Sequence, residues 1–229
     1  MTTFSATDPV VIVGAARTPM GGFQGELSDF TAAQLGAHAI GAALSRAGLG
    51  TDQVEEVIMG CVLPAGQGQA PARQAARGAG IPDGAGATTV NKMCGSGMQA
   101  AMFAHDMLRA GTNKVMVAGG MESMTNAPYL LEKARGGYRM GHGRVMDHMF
   151  LDGLEDAYDR GRLMGTFAEE CAQGYQFTRE AQDCFALASL ERARRRENLA
   201  AEIAPITVRT RKGETVIAED EQPRNARPE

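Results

Sequence analysis

The sequence predicts an α/β fold in which parallel strands alternate with helices. Short apolar runs bounded by glycine or proline recur up to about Gly120, as is typical of strands that a sheet buries on both faces. Segments with helical periodicity separate these runs, and such alternation favours a right-handed βαβ sheet. The 229 residues are enough for one or two domains, and the pattern becomes irregular after Met121.

Local signals place each element of the first 121 residues. The predicted strands are residues 10–13, 57–62, 87–90 and 114–118. The first of these runs is continuously apolar, so we expect it to be fully buried. One predicted helix is capped by Asp29 or Thr31 and ends at Gly48; a second ends near Ala79, and a third runs from Ser96 to about Ala110.

The second part of the chain, residues 122–229, is predicted to be a loop domain laid over the sheet. Residues 123–165 show no clear periodicity, and a long irregular stretch in a compact protein is usually functional or disordered. Helices are expected at 166–176 and 178–198, the latter capped by Thr178. A hairpin is expected around Lys212 and Gly213, and residues 219–229 show no helix or strand pattern.

Charge and composition exclude several function classes. The net charge is −4 and the pI about 5.7, so nucleic acid is not an expected partner. No run approaches the roughly 20 apolar residues of a membrane span, and the polar N-terminus has no signal core. The cysteines fit no metal spacing, which predicts reduced thiols in the cytosol and no metal site. Three of them, Cys61, Cys171 and Cys184, are interpreted as core residues.

Cys94 is the strongest candidate for chemistry. It is predicted to lie between a strand and a helix, flanked by Gly95 and Gly97. Backbone N–H groups and the dipole at a helix N-terminus favour the thiolate, which is the nucleophilic form. The glycines allow a sharp bend and close approach of a substrate carbonyl. Asn91, three residues earlier, is interpreted as a turn residue that makes local hydrogen bonds.

Several segments carry a resemblance to a known family. Asn91, Cys94, Ser96 and Gly97 resemble the nucleophile segment of the thiolases, and residues 12–19 resemble the thiolase first strand and turn. Residues 119–124 resemble the segment that closes the fourth strand. Residues 152–154 and 164–166 resemble motifs of the loop domain. The order matches over nearly the whole chain, so the sequence is identified as the amino-terminal portion of a thiolase.

The resemblance implies a fold, an activity and site residues. The fold is the first βαβ domain of a thiolase plus its loop domain. The implied activity is acyl transfer between acyl-CoA and acetyl-CoA through a Cys94 thioester, with coenzyme A thioesters as substrates and no tightly bound cofactor. Leu154 and Met164 fall where the family packs the pantetheine arm, and Arg224 falls near the nucleotide end. Leu163 stands where biosynthetic thiolases often carry histidine.

Two family motifs do not occur in the sequence. A thiolase needs a base for its nucleophile and a second group that deprotonates acetyl-CoA; the family supplies these from Gly-His-Pro and Cys-x-Gly-Gly segments, neither of which is found here. The resemblance therefore implies that the carboxy-terminal twin domain and the segment that completes the first sheet are absent from these residues. We expect this chain alone to be inactive, and we expect a homo-oligomer, a dimer or the family's homotetramer.

Two other readings stay open from the sequence alone. A β-ketoacyl synthase-like condensing enzyme also attacks with a cysteine at the start of a helix. A non-catalytic acyl-CoA or lipid-binding relative would bind the thioester without becoming acylated. A glycine-rich nucleotide-binding module is disfavoured, because no Gly-x-Gly-x-x-Gly follows the first predicted strand.

Overall fold

A parallel sheet of three strands lies at the centre of the fold. Its strands are β1 (Glu56–Gly60), β2 (Gly86–Val90) and β3 (Met116–Gly120), in the order β2-β1-β3. Gly60 pairs in register with Val90 on one side and with Gly120 on the other. All three strands therefore end at one edge of the sheet. The computed structural model describes residues 9–195, 199–211 and 213–227.

Helices cover the two faces of this sheet. α1 (Ala32–Ala47) and α2 (Pro71–Gly78) pack against one face, where Val57 and Met59 of β1 join a shared apolar core. α3 (Ser96–Arg109) packs against β1 and β3 on the other face. Successive strand residues point to opposite faces, so β1 is buried on both sides, as its continuous apolar run predicts.

Local signals determine where these helices begin and end. Thr31 caps α1 through a reciprocal capping box with Gln34, and Gly48 ends it in the left-handed conformation at φ 66°. Pro71 begins α2, where a missing N–H has no cost. The predicted helices are confirmed here, and the predicted fourth strand is shifted to Met116–Gly120.

The prediction of a buried first strand at residues 10–13 is wrong. These residues form no strand, and Val11, Ile12 and Val13 are exposed, Ile12 by 91%. Among the described residues, none of the sheet pairings includes Val11, Ile12 or Val13. A strand is buried only when neighbours cover its edges and faces, so apolar composition alone does not predict burial here.

The second part of the chain contains more regular structure than predicted. A small antiparallel hairpin and a five-residue π-helical turn (Phe150–Leu154) lie within the stretch that was predicted to be irregular. A short helix lies in residues 219–229, where no helix was predicted. The remaining elements are β4 (Tyr129–Leu131), β5 (Val145–Asp147), α4 (Met164–Gly174), α5 (Arg179–Ala193), β6 (Ile206–Thr210), β7 (Gly213–Ile217) and α6 (Glu221–Asn225).

Several details of this region depart from or extend the predictions. Thr178 caps α5 as predicted, through a hydrogen bond from the Ala181 N–H. Cys171 and Cys184 are exposed, so their interpretation as core residues is wrong, whereas Cys61 is buried. α4 and α5 have no buried residue, which explains the error. Residues 196–198 of the predicted helix, Lys212 of the predicted hairpin, and residues 228–229 lie outside the described residues.

Arg17 connects the N-terminal segment to the end of the chain. Its guanidinium donates to both carboxylate oxygens of Asp220, at 2.7 and 2.9 Å, and to Glu202 at 2.8 Å. The Arg17 hydrogen bond holds the pKa of Asp220 below its usual range. Asp220 also accepts from the Met20 N–H. These contacts join residues about 200 positions apart in the sequence. The division of the chain into two domains at residue 121 stays a prediction.

Replacing Asp220 by Asn should destabilise the fold by about 2 kcal/mol at neutral pH, because the buried carboxylate that accepts two hydrogen bonds from the half-buried Arg17 guanidinium is lost. Since the folded-state pKa of Asp220 is lowered, its contribution is present above the unfolded pKa and lost as the pH falls through the folded pKa. Urea unfolding at pH 7 and about pH 3 checks both points.

Asp83→Asn is the matched control, because its ion pair with Arg77 is exposed and should contribute less than about 0.5 kcal/mol. Equal losses in the two variants, or a loss in Asp220→Asn that does not shrink in acid, would contradict this assignment.

Candidate active site

Cys94 lies in the short turn between β2 and α3. Its residue is exposed, and α3 begins two residues later at Ser96. The turn follows the carboxyl end of β2, at the edge where ligands bind in open α/β sheets. The predicted location of Cys94, at a strand-to-helix turn, is confirmed.

Side chains on either side of Cys94 build this turn. The Asn91 Oδ1 accepts from the Met93 N–H at 2.9 Å, and Met93 adopts a left-handed φ of 50°. The Ser96 hydroxyl accepts from the Lys92 N–H at 2.8 Å and donates to the Met93 carbonyl at 2.6 Å. Left-handed backbone costs a non-glycine residue about 1 kcal/mol or more, and these bonds hold Met93 in it. Asn91 and Ser96 thus serve the geometry of the turn.

Glycines let the start of α3 lie directly on the strand ends. A methyl group at Gly60 would be 2.6 Å from Ser96, and one at Gly120 would be 3.4 Å from the Gly97 Cα. The close approach brings the amide groups of the first turn, and the positive end of the helix dipole, to the edge that carries Cys94. Sequence reasoning missed the role of Gly60 and Gly120, although each ends an apolar run.

Glu122 anchors the loop that follows β1. Its carboxylate accepts from the Val62 N–H at 2.8 Å and the Leu63 N–H at 3.1 Å. The same loop is held to the nucleophile turn, because the Asn91 Nδ2 donates to the Val62 carbonyl at 3.4 Å. Sequence reasoning missed this role of Glu122, although the residue falls in the segment that resembles the close of the thiolase fourth strand.

Cys61 is a poor second nucleophile. Burial, followed by the charge of Glu122, raises the pKa of its thiol to about 11. The Sγ atom lies 3.5 Å from a Glu122 oxygen and accepts from the Gln67 amide at 3.4 Å. A protonated, inaccessible thiol neither attacks a carbonyl nor reaches a substrate, so Cys94 is the nucleophile candidate at this edge.

The structure brings two of the predicted substrate-binding residues together. Glu155 and Leu163 form an antiparallel bridge, and the Asp156 N–H donates to the Arg162 carbonyl at 2.9 Å. The bridge joins the neighbours of Leu154 and Met164, so the end of the π-helical turn and the start of α4 lie near each other. Leu154 is half-buried and Met164 is exposed.

Arg224 lies elsewhere, at the end of the chain. It is part of α6 and donates to Glu26 at 2.7 Å, which raises the pKa of its guanidinium. Within the described residues, no hydrogen bond or ion pair connects Arg224 with Cys94, Leu154 or Met164. Its side chain is about one-third exposed, so the guanidinium is accessible from solvent while it is paired.

Metal binding and membrane insertion are two other roles that the side chains and helices could serve. Among the residues that the structure describes, no group of three or more His, Cys, Asp or Glu side chains is placed to hold a metal ion. Over the same residues, no helix has both the length and the apolar character needed to cross a bilayer.

The chain is similar to known proteins over nearly its whole length. A family model described as "Thiolase, N-terminal domain" matches residues 10–227. Acetyl-CoA acetyltransferase 2 of Arabidopsis thaliana is 51% identical over 218 residues, which are 93% of this chain and 54% of that protein. An acetyl-CoA acetyltransferase of Cupriavidus necator is 49% identical over 210 residues, 90% of this chain and 53% of that protein.

A solved structure gives the same result at the level of the fold. The acetyl-CoA acetyltransferase of Syntrophomonas wolfei superposes with a TM-score of 0.86 at 37% identity, over 95% of this chain and 55% of that chain. The sheet, the turn and the exposed Cys94 define an α/β protein with the thiolase fold. The chain belongs to the thiolase N-terminal domain family, and it spans about half the length of the curated relatives it matches.

Replacing Gly60 by Ala should displace the start of α3, because the new methyl group would lie 2.6 Å from Ser96. We expect a loss of about 1–3 kcal/mol in the free energy of unfolding, together with slower alkylation of Cys94 by iodoacetamide. Urea unfolding and intact-mass kinetics measure the two effects.

Gly41→Ala is the control. Gly41 lies within α1, and nothing lies within 4 Å of the position of an added methyl group, so this variant should be neutral or more stable by up to about 1 kcal/mol. If Gly60→Ala behaved like Gly41→Ala, the tight contact between α3 and the strand end would not be needed.

Proposed function

We propose that this chain forms the nucleophile half of a thiolase active site and accepts an acyl group from an acyl-CoA on Cys94. The observation that carries the proposal is the exposed Cys94 at the N-terminal end of α3, on the carboxyl edge of the sheet. The overall reaction is acyl transfer between acyl-CoA and acetyl-CoA, either thiolysis of a 3-ketoacyl-CoA or condensation to acetoacetyl-CoA.

The geometry suits the first half of this reaction. The Cys94 thiolate attacks the thioester carbonyl, a new carbon–sulfur bond forms, and the bond to the sulfur of coenzyme A breaks. Coenzyme A leaves as a thiolate and takes up the proton that Cys94 lost. The Cys94 N–H, just before α3, together with amide groups in the first turn of the helix, would donate to the oxyanion that forms on the carbonyl oxygen.

The second half needs groups that these residues do not provide. No Gly-His-Pro and no Cys-x-Gly-Gly segment occurs in the 229 residues, so neither the base nor the α-carbon deprotonating group of a thiolase is supplied. Acylation of Cys94 by this chain should be slow, and turnover to acetoacetyl-CoA or to a shortened acyl-CoA should be very low.

Leu154, Met164 and Arg224 are the proposed contacts to coenzyme A. Leu154 and Met164 each adjoin a residue of the Glu155–Leu163 bridge and would pack on the apolar pantetheine arm. Arg224 would meet the nucleotide end, since a guanidinium binds phosphate oxygens with two parallel donors. A phosphate at this position would share the guanidinium with Glu26. The substrates are coenzyme A thioesters, with no tightly bound cofactor.

Exposed apolar surface supports the proposal of a homo-oligomeric partner. Met98 and Met102 lie four residues apart on α3, on one helical face, and Met98 is 74% exposed. Val11 and Ile12 are exposed as well. Contiguous exposed apolar surface marks an interaction site in most soluble proteins. A dimer or homotetramer, and a location in the cytosol, stay predictions.

Incubation with acetyl-CoA should add one acetyl group to the chain, and peptide mapping should locate it on Cys94. Cys94→Ser should abolish the mass increase, whereas Cys184→Ser, a second exposed cysteine, should leave it unchanged. Intact-mass spectrometry at several time points measures the rate.

The outcomes separate the proposal from its rivals. Binding of acetyl-CoA without acylation would indicate a non-catalytic relative. Acylation by acyl-carrier-protein thioesters in preference to acetyl-CoA would indicate a β-ketoacyl synthase-like enzyme. Equal acylation of the wild type and Cys94→Ser would exclude Cys94 as the acyl carrier.

The chain should self-associate or bind a hydrophobic dye through the exposed face of α3. Replacing both Met98 and Met102 by Lys should lower dye fluorescence about twofold and shift the sedimentation profile toward monomer, because two charges oppose burial. Val216→Lys, an exposed position in β7, is the control. A wild-type chain that sediments as a monomer and binds no dye would contradict the association.

A further inference from the structure

His148 is a buried histidine that the proposed chemistry does not use. It is only 4% exposed and lies directly after β5, before the π-helical turn at Phe150–Leu154. Its Nδ1 is 2.6 Å from Asp152 Oδ2, and its Nε2 is 3.4 Å from the Ala65 nitrogen. Because each ring nitrogen has a hydrogen-bond partner, the buried His148 holds together the two chain segments that carry those partners.

The two partners belong to different parts of the site. Asp152 is within the π-helical turn, which also contains Leu154, and single π-helical turns occur frequently at functional sites. Ala65 belongs to the loop after β1. A methyl group at Gly153 would lie 3.3 Å from Leu63, so the turn and the loop also pack together beside the histidine.

The same loop is held to the nucleophile turn. Asn91 donates to the Val62 carbonyl, and Glu122 accepts from the N–H groups of Val62 and Leu63. A continuous set of contacts therefore runs from the Cys94 turn, through the loop at residues 61–65, to His148 and the turn that carries Leu154.

We propose that His148, oriented by Asp152, is a positioning residue that sets the distance between Leu154 and Cys94 and thereby the affinity for an acyl-CoA thioester. This role rests on the proposed function, since Leu154 is a contact to coenzyme A only if the chain binds acyl-CoA. No charge or proton on His148 reaches the substrate.

The partners also define the tautomer of the ring. Nε2 faces an amide N–H and must therefore accept, while Nδ1 faces a carboxylate and donates. Two substitutions separate these bonds. Gln places its terminal amide oxygen near the Nε2 position and keeps an acceptor for Ala65, whereas Asn places an amide near Nδ1 and keeps only the donor to Asp152.

The test measures acylation of Cys94 in the full 229-residue chain as a function of acetyl-CoA concentration. His148→Ala and His148→Asn should raise the half-saturating concentration about threefold to tenfold, the effect of one lost hydrogen bond, with the limiting rate unchanged. His148→Gln should restore most of the affinity. His142→Ala, at an exposed histidine in the loop between β4 and β5, should have no effect.

Three further measurements separate the positioning role from misfolding. Asp152→Ala removes a side chain that is 48% exposed and should shift the half-saturating concentration in the same direction, by less. Hydrogen exchange of the Ala65 amide should accelerate in His148→Ala and His148→Asn but not in His148→Gln. Alkylation of Cys94 by iodoacetamide, which needs no coenzyme A site, should be the same in all variants.

The outcomes are distinct. If the wild type is acylated and His148→Ala has the wild-type half-saturating concentration, the positioning role is wrong while the proposed function stands. A fall in the limiting rate alone, or equal loss in the Gln and Asn variants, would also overturn it. No acylation of the wild type would overturn the proposed function, and the role in binding with it.

Discussion

The contact between the first turn of α3 and the ends of β1 and β3 is the constraint on which the site depends. Helix and strands approach so closely that only glycine fits at Gly60, where a methyl group would lie 2.6 Å from Ser96. This contact fixes the helix start relative to the sheet, and the strained Met93 with its bracing bonds then fixes Cys94 relative to the helix. Cys94 is exposed in this fixed turn. The cost of the strain is offset by hydrogen bonds within the same turn.

The loop after β1 is also held in a fixed position, next to the nucleophile turn. Its amide groups would be unpaired at the end of a strand, and Glu122 accepts two of them with one carboxylate. The charge that satisfies these amides also raises the pKa of the adjacent Cys61 thiol. Glu122 thus holds the loop in place, and its charge acts together with burial to keep the Cys61 thiol protonated. The edge of the sheet presents a single accessible thiol, although two cysteines follow its strands.

Sequence reasoning succeeded where the controlling interactions are local. The capping box at Thr31, the left-handed Gly48 and the strand-to-helix turn at Cys94 depend on residues within a few positions of one another. It failed where burial depends on remote partners. Residues 10–13 have the composition of a buried strand, yet their exposure is decided by whether another segment pairs with them. Cys171 and Cys184 lie at helical positions, and periodicity cannot state which helical faces are covered. The hydrogen bond between His148 and Ala65 was missed for the same reason, because the loop that carries Ala65 is 83 residues away.

This division between local and remote control decides which parts of the candidate site these residues hold in place by themselves. The nucleophile turn is closed by its own hydrogen bonds and by strands within residues 56–120, so its geometry requires little from elsewhere. Met98 and Met102 on α3, and Val11, Ile12 and Val13 near the start of the chain, are instead exposed. Attack by a thiol needs a correctly positioned sulfur and a base. Local contacts position the nucleophile turn, whereas the two family segments that carry the base and the second acid–base group do not occur in these residues. Because the geometry of the nucleophile turn is set without a base, the proposed acylation of Cys94 can be measured separately from turnover.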